Sequence, residues 1–204
     1  MSVLALLASF ACMYADSGAI RAYPSPLAST LSSLKPGCNF HRVYTGFLGG
    51  MSELLVLRCR GVDFTVSTPN NLIGHVEIAT RDQALEYVRF FTTVDSQDLF
   101  DLGGLTEIVP GSGVGEFYQV PPEVFAKYFK PVSVQESYES AFCQMHLKLL
   151  CGKSFDITRP MLDSEGRALE LSEVIFHTGF RYVRQRTVVL EHAETIGLDF
   201  FGPL

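Results

Sequence analysis

The residues best spaced for covalent chemistry are Cys143 and His146. Three positions apart, they stand one turn from each other on a helix, where an imidazole can lower a thiol's pKa and make it a nucleophile. His177 could supply a second imidazole, and Glu139 or Asp156 an orienting carboxylate. The competing reading is structural: Cys143 packs in the core and His146 faces solvent. Other catalytic signatures are missing from the chain. It has no G-x-S-x-G elbow, no H-x-H or H-E-x-x-H pair and no Cys-x-x-Cys, so neither a metal nor a cofactor is expected. Gly152-Lys153-Ser154 resembles the end of a phosphate-binding loop, but Leu147 stands where the first glycine is required. Gly111-Ser112-Gly113-Val114-Gly115 lacks dinucleotide-loop spacing and reads as a hairpin or flexible loop.

Arg181, Arg184 and Arg186 fall on one apolar stretch near the C-terminus. On a strand, Arg184 and Arg186 share a face and Arg181 takes the other. A solvated face or a protected edge accounts for them. The sharper expectation is that Arg184 and Arg186 bind a ligand carrying carboxylate or phosphate.

Five cysteines are present: Cys12, Cys38, Cys59, Cys143 and Cys151. The first lies in a leader-like segment. Residues 1–15 contain no charged side chain and run through an apolar block to Ala15, which has the length of a signal-peptide core but lacks a basic start. A core helix displaying Leu4, Leu7 and Ala8 is the alternative. Removal of 1–15 would leave four cysteines, enough for two disulfides. Cys143 and Cys151 are too far apart along a helix or strand to join locally, and Cys38–Cys59 alone would leave the other two unpaired. The expectation is therefore long-range bonds joining Cys38 and Cys59 to Cys143 and Cys151. Four buried thiols are the alternative.

The 204 residues suit one domain. Apolar residues make up 47% and charged residues 19%, and sixteen Phe with eight Tyr supply a substantial core. The net charge of −6 disfavours nucleic acid as a partner. No apolar run reaches the ~20 residues of a membrane-spanning helix.

Elements able to position these residues begin near Cys38, after a Pro- and Ser-rich segment at 16–37 that reads as a linker. Strands are expected at 53–59, at 62–66 (half-buried by alternation) and at 73–78. A helix over 81–92 follows from the Thr80/Gln83 capping-box spacing and the apolar face of Ala84, Leu85, Val88 and Phe91. A short strand at 105–109 comes next, then a short helix opened by Pro121-Pro122-Glu123 and running to about Phe129. Residues 138–150 fit either a helix or a buried strand. Three strands at 155–161, 168–176 and 180–190, joined by short turns, form an antiparallel meander.

The sequence therefore predicts an α+β domain over 38–204, mainly antiparallel sheet with two or three helices. The leading functional expectation is an exported, non-enzymatic domain, secreted or periplasmic, that binds a protein or small-molecule ligand. The alternatives are a thiol-dependent hydrolase or transferase using Cys143 and His146, and an intracellular interaction protein that keeps 1–15 as a helix.

Overall fold

A computed structural model describes residues 21–24, 31–47, 50–93, 105–112, 117–139, 152–184 and 189–192. The fold is mixed α+β and rich in sheet. One sheet contains β1 (Arg21–Pro24), β2 (Cys38–Phe47), β3 (Gly50–Cys59) and β4 (Val62–Thr65), antiparallel and in that order. The other contains β5 (Thr106–Pro110), β6 (Tyr118–Val120), β7 (Ser133–Glu139), β8 (Gly152–Leu162), β9 (Arg167–Phe176), β10 (Arg181–Arg184) and β11 (Val189–His192). Strands β8, β9 and β10 follow one another antiparallel. Strands β7 and β5 share the far side of β8, while β10 and β11 share the far side of β9.

Helix α1 (Arg81–Thr93) begins at the expected capping box. Thr80 Oγ1 accepts from the Gln83 N–H at 3.2 Å, and Gln83 Oε1 accepts from the Thr80 N–H at 3.2 Å. Each bond satisfies a backbone donor that the first helical turn leaves free. The helix buries Ala84, Tyr87, Val88, Phe90 and Phe91 in one cluster with side chains of both sheets: Phe40, Leu55 and Leu57 from the first, Phe155, Ile157 and Ile175 from the second. Phe90 stacks on Phe40 with ring centroids 4.7 Å apart. Full burial of side chains of this kind contributes about 1.5–3 kcal/mol each, so α1 is the principal link between the two sheets. Leu31, from the segment read as a linker, is also in this cluster. Helix α2 (Pro122–Tyr128) closes a smaller core, where Phe125 and Phe129 pack with Ile108, Val120 and Leu162.

Several expectations are corrected. Residues 73–78 form no strand. Gly74 adopts φ +81°, and the buried Val76 and Ile78 alternate along a connection with a single antiparallel bridge, Val76 to Leu34, flanked by Lys35 N donating to His75 O and Glu77 N donating to Ser33 O, after which Ile78 N donates to His177 O. Strand β4 forms, but all four of its residues are exposed, Val62 by 55%. Val62 and Phe64 lie opposite Cys59 and Leu57 and so share the core-side face. They are exposed because β4 is the sheet edge, where alternation sets direction without guaranteeing cover. The glycine segment at 111–115 does not connect a hairpin, because β5 and β6 pair parallel. Strands β1 (inside the segment read as a linker), β2, β6 and β7 were not anticipated. Residues 140–150 lie outside the described residues.

Candidate functional site

Two groupings of polar side chains stand where chemistry could occur, and a third is structural. The first is at the open end of the β2–β3 pair, beside the Arg60–Gly61 turn into β4. Cys38 and Cys59 lie directly opposite in register and form a disulfide. This overturns the expectation of long-range bonds to Cys143 and Cys151. The sequence argument required all four cysteines to pair, whereas strand register alone places the Cys38 and Cys59 Cα atoms 4.1 Å apart. His75 covers the pair, with Nδ1 3.4 Å from Cys59 Sγ. Its ring packs against Phe64 at 4.8 Å between centroids. The imidazole is held through its backbone: His75 N donates to Leu72 O and His75 O accepts from Lys35 N, both at 2.9 Å.

The second grouping is a cleft of about 350 Å³ lined by Glu77, Ile78, Ala79, Gly152, Lys153 and His177. Three backbone segments meet there: the connection at 77–79, the start of β8 and the turn after β9. Ile78 N donates to His177 O at 2.8 Å, and His177 N donates to Lys153 O at 3.1 Å. The Lys153 ammonium donates to Ala79 O at 2.9 Å and pairs with Glu136 at 2.8 Å. His177 Nδ1 is 3.2 Å from Lys153 O. A carbonyl can only accept, so this contact favours the tautomer with the proton on Nδ1 and leaves Nε2 as an acceptor. Gly152 allows the ring to approach: its φ is +126°, and a Cβ there would lie 3.2 Å from His177 Cε1.

The third grouping is a line of alternating charge across the second sheet, Arg89–Glu107–Arg159–Glu173–Arg181. Glu107 lies opposite Met161, Glu173 opposite Ile157 and Arg181 opposite Ile175. Each of the four strand residues, Glu107, Arg159, Glu173 and Arg181, is thus diagonal to the next on one face, within reach of a long side chain. Arg159 donates to Glu173 Oε2 at 2.8 Å and to Glu107 Oε2 at 3.2 Å. Arg89 reaches Glu107 from α1 at 2.6 Å. Arg181 pairs with Glu173. Burial pushes the pKa values of Arg159 and Arg181 down, the Glu107 carboxylate opposing that for Arg159. Arg181 is therefore a buried structural cation, not part of a solvated face. Tyr87 is beside it, with its hydroxyl donating to Gly179 O and its pKa driven up by burial.

Among the sequence-derived candidates, His177 is in the cleft. Cys143, His146, Cys151 and Arg186 lie outside the described residues, as do residues 1–15 and Cys12. Arg184 ends β10. Asp156 accepts from Ser137 Oγ at 2.9 Å. Sequence reasoning missed His75, Glu77 and Lys153 as site residues. No local motif signals His75, whose partners are 16 and 37 positions away. Lys153 was visible only within a failed phosphate-loop match, and it opens a strand rather than a helix. Among the described residues, no helix is long and apolar enough to cross a membrane. Compared with known proteins, the chain matches no family model, no curated protein and no solved structure.

Proposed function

We propose that this protein is a non-enzymatic binding domain of an oxidising compartment, and that the cleft beside His177 receives a small hydroxy acid. The observation that carries this reading is the pairing of two complementary groups on one wall of the cleft. Lys153 offers an ammonium held by Ala79 O and Glu136. His177 offers an Nε2 acceptor oriented by its contact with Lys153 O. A carboxylate toward the ammonium and a hydroxyl toward the imidazole satisfy both. The volume falls at the small end of the range for ligand sites, roughly 300–1,000 Å³. The Cys38–Cys59 disulfide supports the compartment, since such bonds persist where thiols are not kept reduced.

The test is amide-resolved NMR titration of the full chain with lactate, malate and tartrate. Saturable shifts at Ala79, Gly152 and Lys153, weakened in Lys153→Met and His177→Phe, are the expected result. Absence of saturable shifts at these amides in the folded wild type refutes the ligand class. A non-reducing intact mass of purified protein tests the compartment reading: a fully reduced chain from the native source would sink it.

A further inference from the structure

From the Cys38, Cys59 and His75 cluster we infer that these residues form a redox-gated metal site, which takes a soft cation of the Zn²⁺ class once the disulfide is opened. The inference is independent of the hydroxy-acid cleft. Two sulfurs and one imidazole nitrogen lie within 4.8 Å of one another. Two thiolates with one imidazole are a donor set suited to zinc.

The geometry needs little change. With Zn–S near 2.3 Å and Zn–N near 2.0 Å, adjacent ligand atoms of a tetrahedral site are about 3.5–3.8 Å apart. Cys59 Sγ and His75 Nδ1 are already 3.4 Å apart. The two sulfurs must separate by side-chain rotation, while β2 and β3 stay paired.

Three turns hold the ligands. Cys38 N donates to Lys35 O at 3.1 Å, Arg60 N donates to Gly37 O at 3.0 Å, and His75 is tied at both its N–H and its carbonyl. Arg60 and Gly61 reverse the chain with φ +50° and +83°, immediately after Cys59. The site is partly exposed at Cys38 and His75 and buried at Cys59. A fourth position is left for water or an incoming ligand.

The two states exclude each other because the same sulfur atoms serve both. Two low-molecular-weight thiols of the glutathione class reduce the disulfide: they supply two electrons and two protons, and leave joined to each other as one small-molecule disulfide. The protein then holds two thiols. Binding of Zn²⁺ forms two Zn–S bonds and one Zn–N bond and releases the two thiol protons to solvent. Two thiolates balance the dication, so the occupied site is neutral. Reoxidation by an acceptor disulfide re-forms the S–S bond and releases the metal ion, while the acceptor takes up two electrons and two protons and leaves as two thiols.

The experiment titrates Co²⁺, then Zn²⁺, into the full chain before and after reduction by a phosphine. That reagent consumes one water, becomes the phosphine oxide and leaves two thiols. The expected result is a thiolate-to-cobalt charge-transfer band only in the reduced protein, displaced by Zn²⁺. His75→Gln should weaken Co²⁺ binding at least tenfold, since even outer partners of a metal site are worth roughly 10–100-fold. No band in a reduced chain with native circular dichroism overturns the proposal. So does equal affinity in His75→Gln, or binding by the oxidised protein that matches the reduced one.

Cys12, Cys143 and Cys151 are also thiols, so alkylation of the reduced wild type is mapped by mass spectrometry with and without Zn²⁺. Protection of Cys38 and Cys59 supports the site without any variant having to fold. Protection confined to the other cysteines, or no protection, overturns it.

Discussion

Replacing Glu173 by Gln should be among the most damaging single changes in the second sheet. The Glu173 side chain is fully buried and carries the only carboxylate paired with Arg181 among the described contacts. The same carboxylate also pairs with Arg159 at 2.6 Å. Arg159 would keep Glu107; Arg181 would keep a buried charge with no anion beside it. Breaking a buried ion pair by removing one partner costs about 3–5 kcal/mol, because the remaining charge cannot be resolvated. Domains of this size have about 5–15 kcal/mol in total, so the variant folds weakly. With a urea slope of about 2–3 kcal/mol/M, the unfolding midpoint should fall by roughly 1–2.5 M. Glu170→Gln is the control on the same strand. Its partner Lys130 is 3.9 Å away with its side chain 87% exposed, and such pairs contribute about 0–1 kcal/mol. Adding Arg181→Met to Glu173→Gln should recover part of the loss by removing the stranded charge. The reasoning fails if Glu173→Gln unfolds within about 1 kcal/mol of wild type at unchanged slope, or if the double variant is no more stable than the single one.

Two further outcomes follow from local geometry. Gly179 has φ +92°, and a Cβ there would overlap Val76 Cγ2 and lie 3.3 Å from the Tyr87 hydroxyl. Gly179→Ala should therefore cost about 2–5 kcal/mol and lower Tm by roughly 5–15 °C, whereas Gly61→Ala, with no atom within 4 Å, should show only the backbone strain; equal losses in a thermal melt would rule out the steric account. Asp163 is pulled up by burial, but hydrogen bonds from the Arg167 N–H, the Arg167 guanidinium and the Glu165 N–H hold its carboxyl below the usual range. A depressed folded pKa gives stability present above the unfolded value near 3.9 and lost as pH falls through the folded one. Asp163→Asn should accordingly flatten the acid limb of stability against pH, and an unchanged limb in acid titration of the two proteins would contradict it.

Helix α1 was legible because its signals are local. The Thr80/Gln83 box and the spacing of Ala84, Val88 and Phe91 operate within one segment, and both appear in the structure. The long apolar alternation of β8 and β9 was legible for the same reason. The connection at 73–78 misled because burial of Val76 and Ile78 imitates strand periodicity, while its distant backbone partners come from two separate places, residues 33–35 and His177. The candidate site was mostly illegible. His177 could be named from its residue type, but Lys153 joins it only through long-range contacts, from His177 N and Nδ1 to Lys153 O.

By itself the sequence determined composition-level facts and short-range structure: an acidic, aromatic-rich chain, a capped helix, and strands with a buried face. These depend on charge, side-chain type and a period of 2 or 3.6 residues, all present in any short window. Tertiary structure decided which charges are buried, which cysteines meet and which histidine covers them. Arg159 and Glu173 have the same side chains in water as in the core; only the sheet face under α1 removes that water. Cys38 and Cys59 are 21 residues apart, and strand register, not spacing, brings them opposite each other. Burial and long-range register are properties of the assembled chain, so no local pattern could have stated them.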